Sequence, residues 1–372
     1  MVKVGIIGIG RQGSKYVRLF FKGEIKNAEL VSLCDIDADR FRELDPDDLC
    51  KHYINYREMF AEKIVDAIII DTPHYLHPVI SMVALENGIH VLSDKPLGID
   101  AYTVRQIGLK LNERKVTFGV LFNQRLLPIY KRIKELVENE ELGSLKRCVW
   151  EVTDWYRPQK YYDIGGWRSS WSGEGGGVLV NQCVHNIDML CYLFGMPSQV
   201  ISSIGYGAYH NTEIDDSVVA NFVYPNGFMC TLISSTGETP GTNRLEISGT
   251  CGKVVFEKFD ELQLYYNDVP EDVYSSIVDS SRYTLKFGKP SFKKITEKID
   301  INVDAHKLCI QNFIDSIENG QDPAANYYDG LACVEIVNAI YYSDWVGKKV
   351  DFPVDSLDFK RLLENKCKGD NF

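Results

Sequence analysis

The sequence predicts an α/β protein in two parts. Residues 1–124 read as a doubly wound parallel sheet, and residues 125–372 as an α+β domain on a large open, mostly antiparallel sheet. Three observations carry this. The first 120 residues alternate short β-branched runs with helical stretches, and several runs are apolar on both faces, as strands of a parallel sheet with helices on both sides are. After Arg125 the strands lengthen and alternate apolar with polar. The 372 residues suffice for two domains, each with its own core.

In chain order, "VKVGIIG" (2–8), "LVSLCD" (30–35), "DAIIID" (66–71), "IHVLSD" (89–94) and "VTFGVL" (116–121) read as strands. Stretches 11–22, 38–44, 56–62, 75–87 and 100–113 read as the helices between them. A helix over about 126–139 follows, and Gly143 marks a turn. The longer strands are "LKRCVWEVTDWY" (145–156), "SQVISSIGYGAY" (198–209), "SVVANFVYPNGFMCTLISST" (217–236), "RLEISGTCGKVVFEK" (244–258) and "ELQLYY" (261–266). "YPNGF" signals a hairpin. Helices at about 177–194, 304–318 and 328–346 are expected to cover one face of this sheet. The other face then needs a partner, which predicts a homo-oligomer, a dimer or higher, formed sheet to sheet. The polar stretch 275–300 reads as a loop or arm.

Composition excludes several functions. The net charge of −11, with no basic domain, argues against a nucleic-acid partner. No apolar run reaches the roughly 18 residues of a membrane span. Met1 leads directly into a strand, without a secretory leader pattern. Ten cysteines are scattered without C-x-x-C or zinc spacing, so no metal is expected and free thiols in a reducing cytoplasm are.

Gly8, Gly10 and Gly13 form G-x-G-x-x-G after the first strand and at the start of a helix, with Ile9, Arg11 and Gln12 between them. Asp35 closes the second strand 22 residues after Gly13. Together these make the dinucleotide-binding fingerprint, so the first domain is expected to be a Rossmann domain. A carboxylate at 35 suits ribose hydroxyls and opposes a 2′-phosphate, which favours NAD over NADP. Thr72 and Pro73, after the strand at 66–71, are placed to cover the cofactor. His74 and His77 lie beside them, with helix capping or surface exposure as the alternative. "SDKP" ends the strand at 89–94 and aims Lys95, next to Asp94, at the nicotinamide. Pro96 disfavours helix at Lys95 and permits a cis bond.

These motifs, with "DTPHYLHP", "FNQRLLP", "GGGVLVNQCVHNIDMLCYLFG" and "YYSDWVGKKVDFP", resemble the glucose–fructose oxidoreductase / inositol dehydrogenase / MocA family (Gfo/Idh/MocA) along nearly the whole chain. The resemblance implies hydride transfer between NAD and a secondary hydroxyl of a sugar, polyol or glycoside. It places Asn123 at the cofactor. It matches Lys95 to the family's Glu-Lys-Pro lysine, with Asp94 for the glutamate, and His185 to its catalytic histidine. Four residues before that histidine the family commonly has Asp; here stands Asn181.

Helical spacing puts Asn181, His185 and Asp188 on one face, with Val180, Val184, Ile187, Cys191 and Phe194 as the apolar stripe. Gly175–Gly177 are expected to bring backbone close to nicotinamide or substrate. His185 and Lys95 are both candidate bases. An amide at 181 can orient the imidazole but not stabilise its cation, which shifts weight onto Lys95.

The segment 153–174 carries Trp155, Tyr156, Tyr161, Tyr162, Trp167 and Trp171. Aromatic faces suit sugar C–H surfaces; packing of the loop is the alternative. Tyr156, Arg157, Trp167 and Arg168 are taken as substrate contacts beside Lys95, Asn181 and His185. The segment is similar to a bacterial branch that oxidises glycosides to 3-keto glycosides. Competing functions are a redox-neutral NAD-dependent glycosidase and a non-enzymatic NAD-binding regulator; Lys95 and His185 argue against the second.

Overall fold

The structure is a computed structural model describing residues 1–113, 115–277 and 289–369. Six short strands build the first sheet: β1 (Val2–Ile7), β2 (Ala28–Cys34), β3 (Lys51–Tyr53), β4 (Ala67–Ile70), β5 (His90–Ser93) and β6 (Phe118–Val120). All pair in parallel, in the order β3-β2-β1-β4-β5-β6. The linking helices are α1 (Gly13–Phe21), α2 (Asp39–Leu44), α3 (Tyr56–Ala61), α4 (Leu76–Glu86) and α5 (Ala101–Leu111). The strand order reverses direction between β1 and β4, so a crevice opens at their carboxyl ends, where such sheets bind ligands. The three-residue β3 was not anticipated: "KHY" is too short to show a period.

A 3-10 turn (Asn123–Leu126) and α6 (Pro128–Glu138) lead to the second sheet. Then come β7 (Leu145–Val152), α7 (Gln159–Tyr162), α8 (Val184–Phe194), β8 (Gln199–Tyr206), β9 (Asp215–Val223) and β10 (Met229–Ser235). The chain continues through β11 (Asn243–Gly249), β12 (Gly252–Lys258), β13 (Glu261–Asn267), α9 (Glu271–Ile277), β14 (Phe292–Lys298), α10 (Ala305–Asn319), α11 (Tyr327–Val346), β15 (Val350–Asp351) and α12 (Ser356–Cys367). The nine strands run β14-β13-β12-β11-β7-β10-β9-β8-β15, and only β7 with β10 is parallel. β9 and β10 flank the "YPNGF" turn as the hairpin signal predicts.

Four expectations need correction. The helix expected over 177–194 begins only at Val184. Upstream, the Val178 amide donates to the Asp215 carbonyl and the Leu179 amide to its carboxylate, so these donors are held by β9 rather than a helix. The stretch expected as a loop over 275–300 contains the end of α9 and the edge strand β14; its residues 278–288 lie outside the described residues. The strand expected over 145–156 ends at Val152. Finally, α10 does not cover the open sheet. Its Cys309, Ile310, Phe313 and Ile314 pack with Val4, Ile6, Leu92 and Leu121 on the parallel sheet. A 3.6-residue stripe shows that a helix buries a face, but not which sheet receives it. α11 contacts α8 and β8 as well as α5 and β6, so it ties the two sheets together.

Candidate active site

The crevice at the end of β1 and β4 is shaped by backbone. Gly8 has φ +85°, and a Cβ there would lie 2.1 Å from the Asp71 carbonyl. A Cβ on Gly13 would lie 2.1 Å from the Gly8 carbonyl, so α1 starts against the turn. The Gly13 amide donates to the Asp71 carboxylate at the N-terminus of α1. Asp35, at the end of β2, accepts from the amides of Ile9 (2.9 Å) and Asp37 (3.0 Å), with Arg40 at 3.5 Å. Asp71 and Asp94 stand side by side at the ends of β4 and β5. Burial, then the neighbouring Asp94 charge, pushes the Asp71 carboxyl well above the usual range.

Lys95 follows β5, and its bond to Pro96 is cis. Its amide donates to Asp94 Oδ1 (2.8 Å) and its Nζ to the Asn181 carbonyl (3.0 Å), 86 residues along the chain. Lys95 lines an open cleft, yet sits deep enough that loss of water lowers its ammonium below the usual lysine value. The anions Asp94, Asp71 and Glu174 oppose that shift, and Arg168 adds to it.

His185 lies in the first turn of α8. Burial holds its imidazole well below the ordinary value, and the charge of Lys95 lowers it further. Its Nδ1 has no partner among the described residues. α8 is fixed by Asp188, which accepts from Arg125 Nη2 (2.6 Å) and Nε (2.9 Å); Arg125 also reaches Asp329 at 3.0 Å. Asp188 is fully buried in this clamp. It therefore does not share a polar face with His185, as the spacing suggested.

The Asn181 amide does not orient His185. Its Nδ2 donates to Glu174 Oε1 (2.5 Å) and to the Tyr161 hydroxyl (3.1 Å). Asn181 precedes α8 in a turn, so the helical register that paired it with His185 does not exist. Tyr161 also accepts from Arg168 Nη1 and Gln182 Nε2, both at 3.1 Å. Glu174 is 1% exposed, and its second oxygen takes the Ser169 amide at 2.8 Å. Burial pushes its carboxyl up.

One cavity of about 890 Å³ joins both ends of the crevice. Of the expected cofactor residues, Gly8, Gly10, Arg11, Gln12, Asp35, Thr72, Pro73, Asp94 and Lys95 line it. Ile9 turns its side chain into the core, and Gly13 lies beneath the turn. His77 bridges the carbonyls of Pro96 and Thr72 (both 2.7 Å) and so holds two loops from behind. His74 bonds the Glu174 carbonyl at 2.9 Å and meets the Trp167 ring edge-on. Asn123 contacts His306 at 3.3 Å and is not in the cavity wall.

Of the expected substrate residues, Arg157, Trp167, Arg168, Asn181 and His185 line the cavity, with Trp155. Tyr156 is 46% exposed and outside it. Tyr162 and Trp171 pack in the interior, stacked on His210 and edge-on to Tyr341 and Trp345. Gly175–Gly177 are not in the wall either; a Cβ on Gly177 would lie 1.9 Å from the Asp215 carbonyl, so their closeness serves the fold. Sequence reasoning missed Glu174, Gln182, Asp71 and His306. A lone acid inside "SGEGGG" and the last residue of "DAIIID" were available signals for Glu174 and Asp71. His306 came from a distant helix with none.

The cleft fits a dinucleotide. The glycine turn leaves room for phosphates, Asp35 stands at the crevice edge, and Thr72 Oγ1 is buried in the wall without a partner among the described residues. Two domains with a nicotinamide-type crevice between a lysine and a histidine define the class, a dinucleotide-dependent oxidoreductase.

Comparison with known proteins names the family. The model of the oxidoreductase family with an NAD-binding Rossmann fold matches residues 2–122, and that of the GFO/IDH/MocA C-terminal domain matches residues 130–255. The chain belongs to the Gfo/Idh/MocA family of NAD-dependent oxidoreductases. It is 23% identical to the myo-inositol 2-dehydrogenase of Thermotoga maritima, over 88% of this chain and 92% of that one. The WlbA dehydrogenase of Chromobacterium violaceum, solved with NADH and UDP-GlcNAcA, superposes with a TM-score of 0.80 at 24% identity, covering 95% and 96% of the two chains. Levoglucosan dehydrogenase, solved with NADH and levoglucosan, gives 0.78 at 20% identity over 95% and 99%. Among the described residues no helix is long and apolar enough to cross a membrane.

Proposed function

We propose that this protein oxidises a secondary ring hydroxyl of a sugar, polyol or glycoside with NAD. One observation carries the reading: Lys95, from the first sheet, and His185, from α8, line one cavity with the glycine turn, and Lys95 Nζ is already tied to the second domain through the Asn181 carbonyl. NAD, when bound, supplies the hydride acceptor.

The chain's own residues handle the proton. Lys95, its ammonium weakened by burial, takes the hydroxyl proton as the free amine. Asp94, Asp71 and Glu174 then favour the ammonium that forms, and the Asn181 carbonyl holds it. His185 stays neutral and offers a ring nitrogen to the substrate oxygen. Trp155 and Trp167 supply apolar faces for the ring, and Arg157 and Arg168 polar edges. Within the class we place the C3 hydroxyl of a glucoside first, on the likeness of segment 153–174 to glycoside-oxidising relatives.

The test is NADH formation across myo-inositol, hexoses and aryl glycosides, with product NMR. Release of aglycone without net NADH would replace dehydrogenation with a redox-neutral glycosidase. NAD binding without turnover of any of them would leave a regulator.

The outer face of the nine-stranded sheet exposes Ile201, Val219 and Met229 beside the charged lattice of Arg244, Glu246, Glu257 and Lys253. We propose this face as the contact in a homo-oligomer; light scattering that returns a monomer of 42.3 kDa would reject it. All ten cysteines are free, which supports a reducing compartment, the cytoplasm.

A further inference from the structure

Two carboxyl groups, Asp71 after β4 and Asp94 after β5, meet by the glycine turn within hydrogen-bond reach of each other. Both line the cavity. The backbone fixes each of them. The Gly13 amide at the start of α1 donates to Asp71, and the Lys95 amide donates to Asp94 Oδ1 at 2.8 Å. Among the described residues no side-chain donor is hydrogen-bonded to either carboxyl. Two ionised carboxylates in such contact offer each other only acceptors, and they repel. A hydrogen bond between them needs an O–H on one of the pair, as where two acids share one proton. Asp71 is the one that carries it, because burial and then the Asp94 charge favour its neutral form.

The same corner receives the phosphates of a dinucleotide, because a Rossmann turn offers them the N-terminus of α1. Asp71 already takes an amide of that N-terminus. With a shared proton the pair meets the phosphates as a single negative charge; without it the charge doubles.

We propose that Asp71 and Asp94 share one proton, and that this proton is a binding determinant for the dinucleotide. It joins the glycine turn to the Lys95 loop and halves the negative charge facing the phosphates. The pair acts on the cofactor alone, whatever sugar the enzyme takes.

Other titratable groups face the pair from α1, α4, α10 and the loop after β5. Tyr16 on α1 feels both acids, and His77 on α4 and His306 and Cys309 on α10 feel Asp94. Burial keeps Tyr16 protonated, pushes the Cys309 thiol up to about 12 and lowers both imidazoles into their neutral form. Lys95, beside the pair, is the group that also loses charge as pH rises.

The experiment follows NADH binding to the full-length protein by fluorescence from neutral to alkaline pH. The reduced ring is neutral, so phosphate charge meets the pair uncompensated. Infrared difference spectra between wild type and variant read the carbonyl stretch of a protonated carboxyl, identified by its shift in deuterium oxide. Asp71→Asn is a fixed copy of the protonated acid, with Nδ2 to donate to Asp94 and Oδ1 to accept from Gly13. The expected result is a protonated-carboxyl band at neutral pH that Asp71→Asn lacks. Affinity is full while Asp71 holds its proton, so the wild-type Kd should rise with pH, by up to about tenfold per pH unit. Asp71→Asn should flatten that rise, and Asp71→Leu, which gives up both hydrogen bonds, should weaken NADH at every pH. A thermal melt shows which variants fold. Asp94→Asn stands in if Asp71→Asn does not, since it supplies the bridging hydrogen from the other side and should remove the same band and the same rise.

Absence of a protonated-carboxyl band that depends on the pair overturns the proposal. So does a rise in Kd that the asparagine variant leaves unchanged, which would belong to Lys95. Wild-type affinity in Asp71→Leu across the pH range also overturns it.

Discussion

The two ends of the cavity are made of different material. The cofactor end is backbone: a glycine turn, a helix start and strand ends within the first 95 residues. The substrate end is a web of side chains, Glu174, Asn181, Tyr161, Arg168 and Gln182, joined to the first domain by Lys95. A backbone site tolerates change in neighbouring side chains. A side-chain web transmits each change to its partners.

Lys95 belongs to both ends, so its loss gives the largest effect. Lys95→Met is expected to cut kcat about 10²–10⁴-fold, with NAD affinity in fluorescence titration nearly kept. In the intact protein, kcat/KM for oxidation should rise with pH. Burial lowers the Lys95 ammonium, so the free amine accumulates as pH climbs through a limb below the ordinary lysine value of about 10.4. His185 is held well below the ordinary histidine value and is already neutral there, so no limb near pH ~6.5 is expected. A limb there that Lys95→Met leaves in place would make His185 the base.

Asp35→Ala separates the ends from the other side. Losing charge-assisted hydrogen bonds to ribose should raise KM for NAD about 10–100-fold with kcat largely kept. A comparable fall in kcat would show that the two ends are not independent.

Glu174→Gln acts through Asn181 on Lys95. About fivefold in kcat/KM is expected, the worth of one ordinary hydrogen bond. Removing an anion that supports the ammonium should also move the Lys95 limb to lower pH. A limb that stays put would disconnect Glu174 from Lys95.

Asn181→Asp should have the smallest effect on chemistry. It sets a carboxylate against Glu174 rather than against His185. A fall in Tm of about 2–4 °C is expected, without a shift in the His185 ionisation followed by NMR. A raised His185 value would restore the pairing that helical spacing suggested.

This contrast also explains what could be read from the sequence. Gly8, Gly10, Gly13 and Asp35 were legible because a backbone turn requires particular residues at close spacing. The parallel sheet was legible because its strands, β4 above all, carry apolar residues on both faces. The bond from Lys95 to Asn181 spans 86 residues, and that from His74 to Glu174 spans 100; no local period encodes either. Asp188 looked like a site residue because spacing reports a face and not its neighbours. Arg125, 63 residues away, decides that the acid is structural. The loop aromatics divided for the same reason: Trp155 and Trp167 face the cavity, while Trp171 is claimed by Tyr341 and Trp345.

The return of α10 to the first sheet bears on how the molecule is made. A polypeptide stopped at residue 124 would leave bare the apolar surface of Leu92 and Leu121 that Ile310 and Phe313 cover. On the ribosome the first sheet is complete by Val120, but it must wait for some 190 further residues before that cover arrives. Throughout that interval the nascent first domain is sticky, so a chaperone that shields it is more useful here than in a protein whose domains finish one after the other. Cutting the chain between its two sheets would give neither half a complete surface.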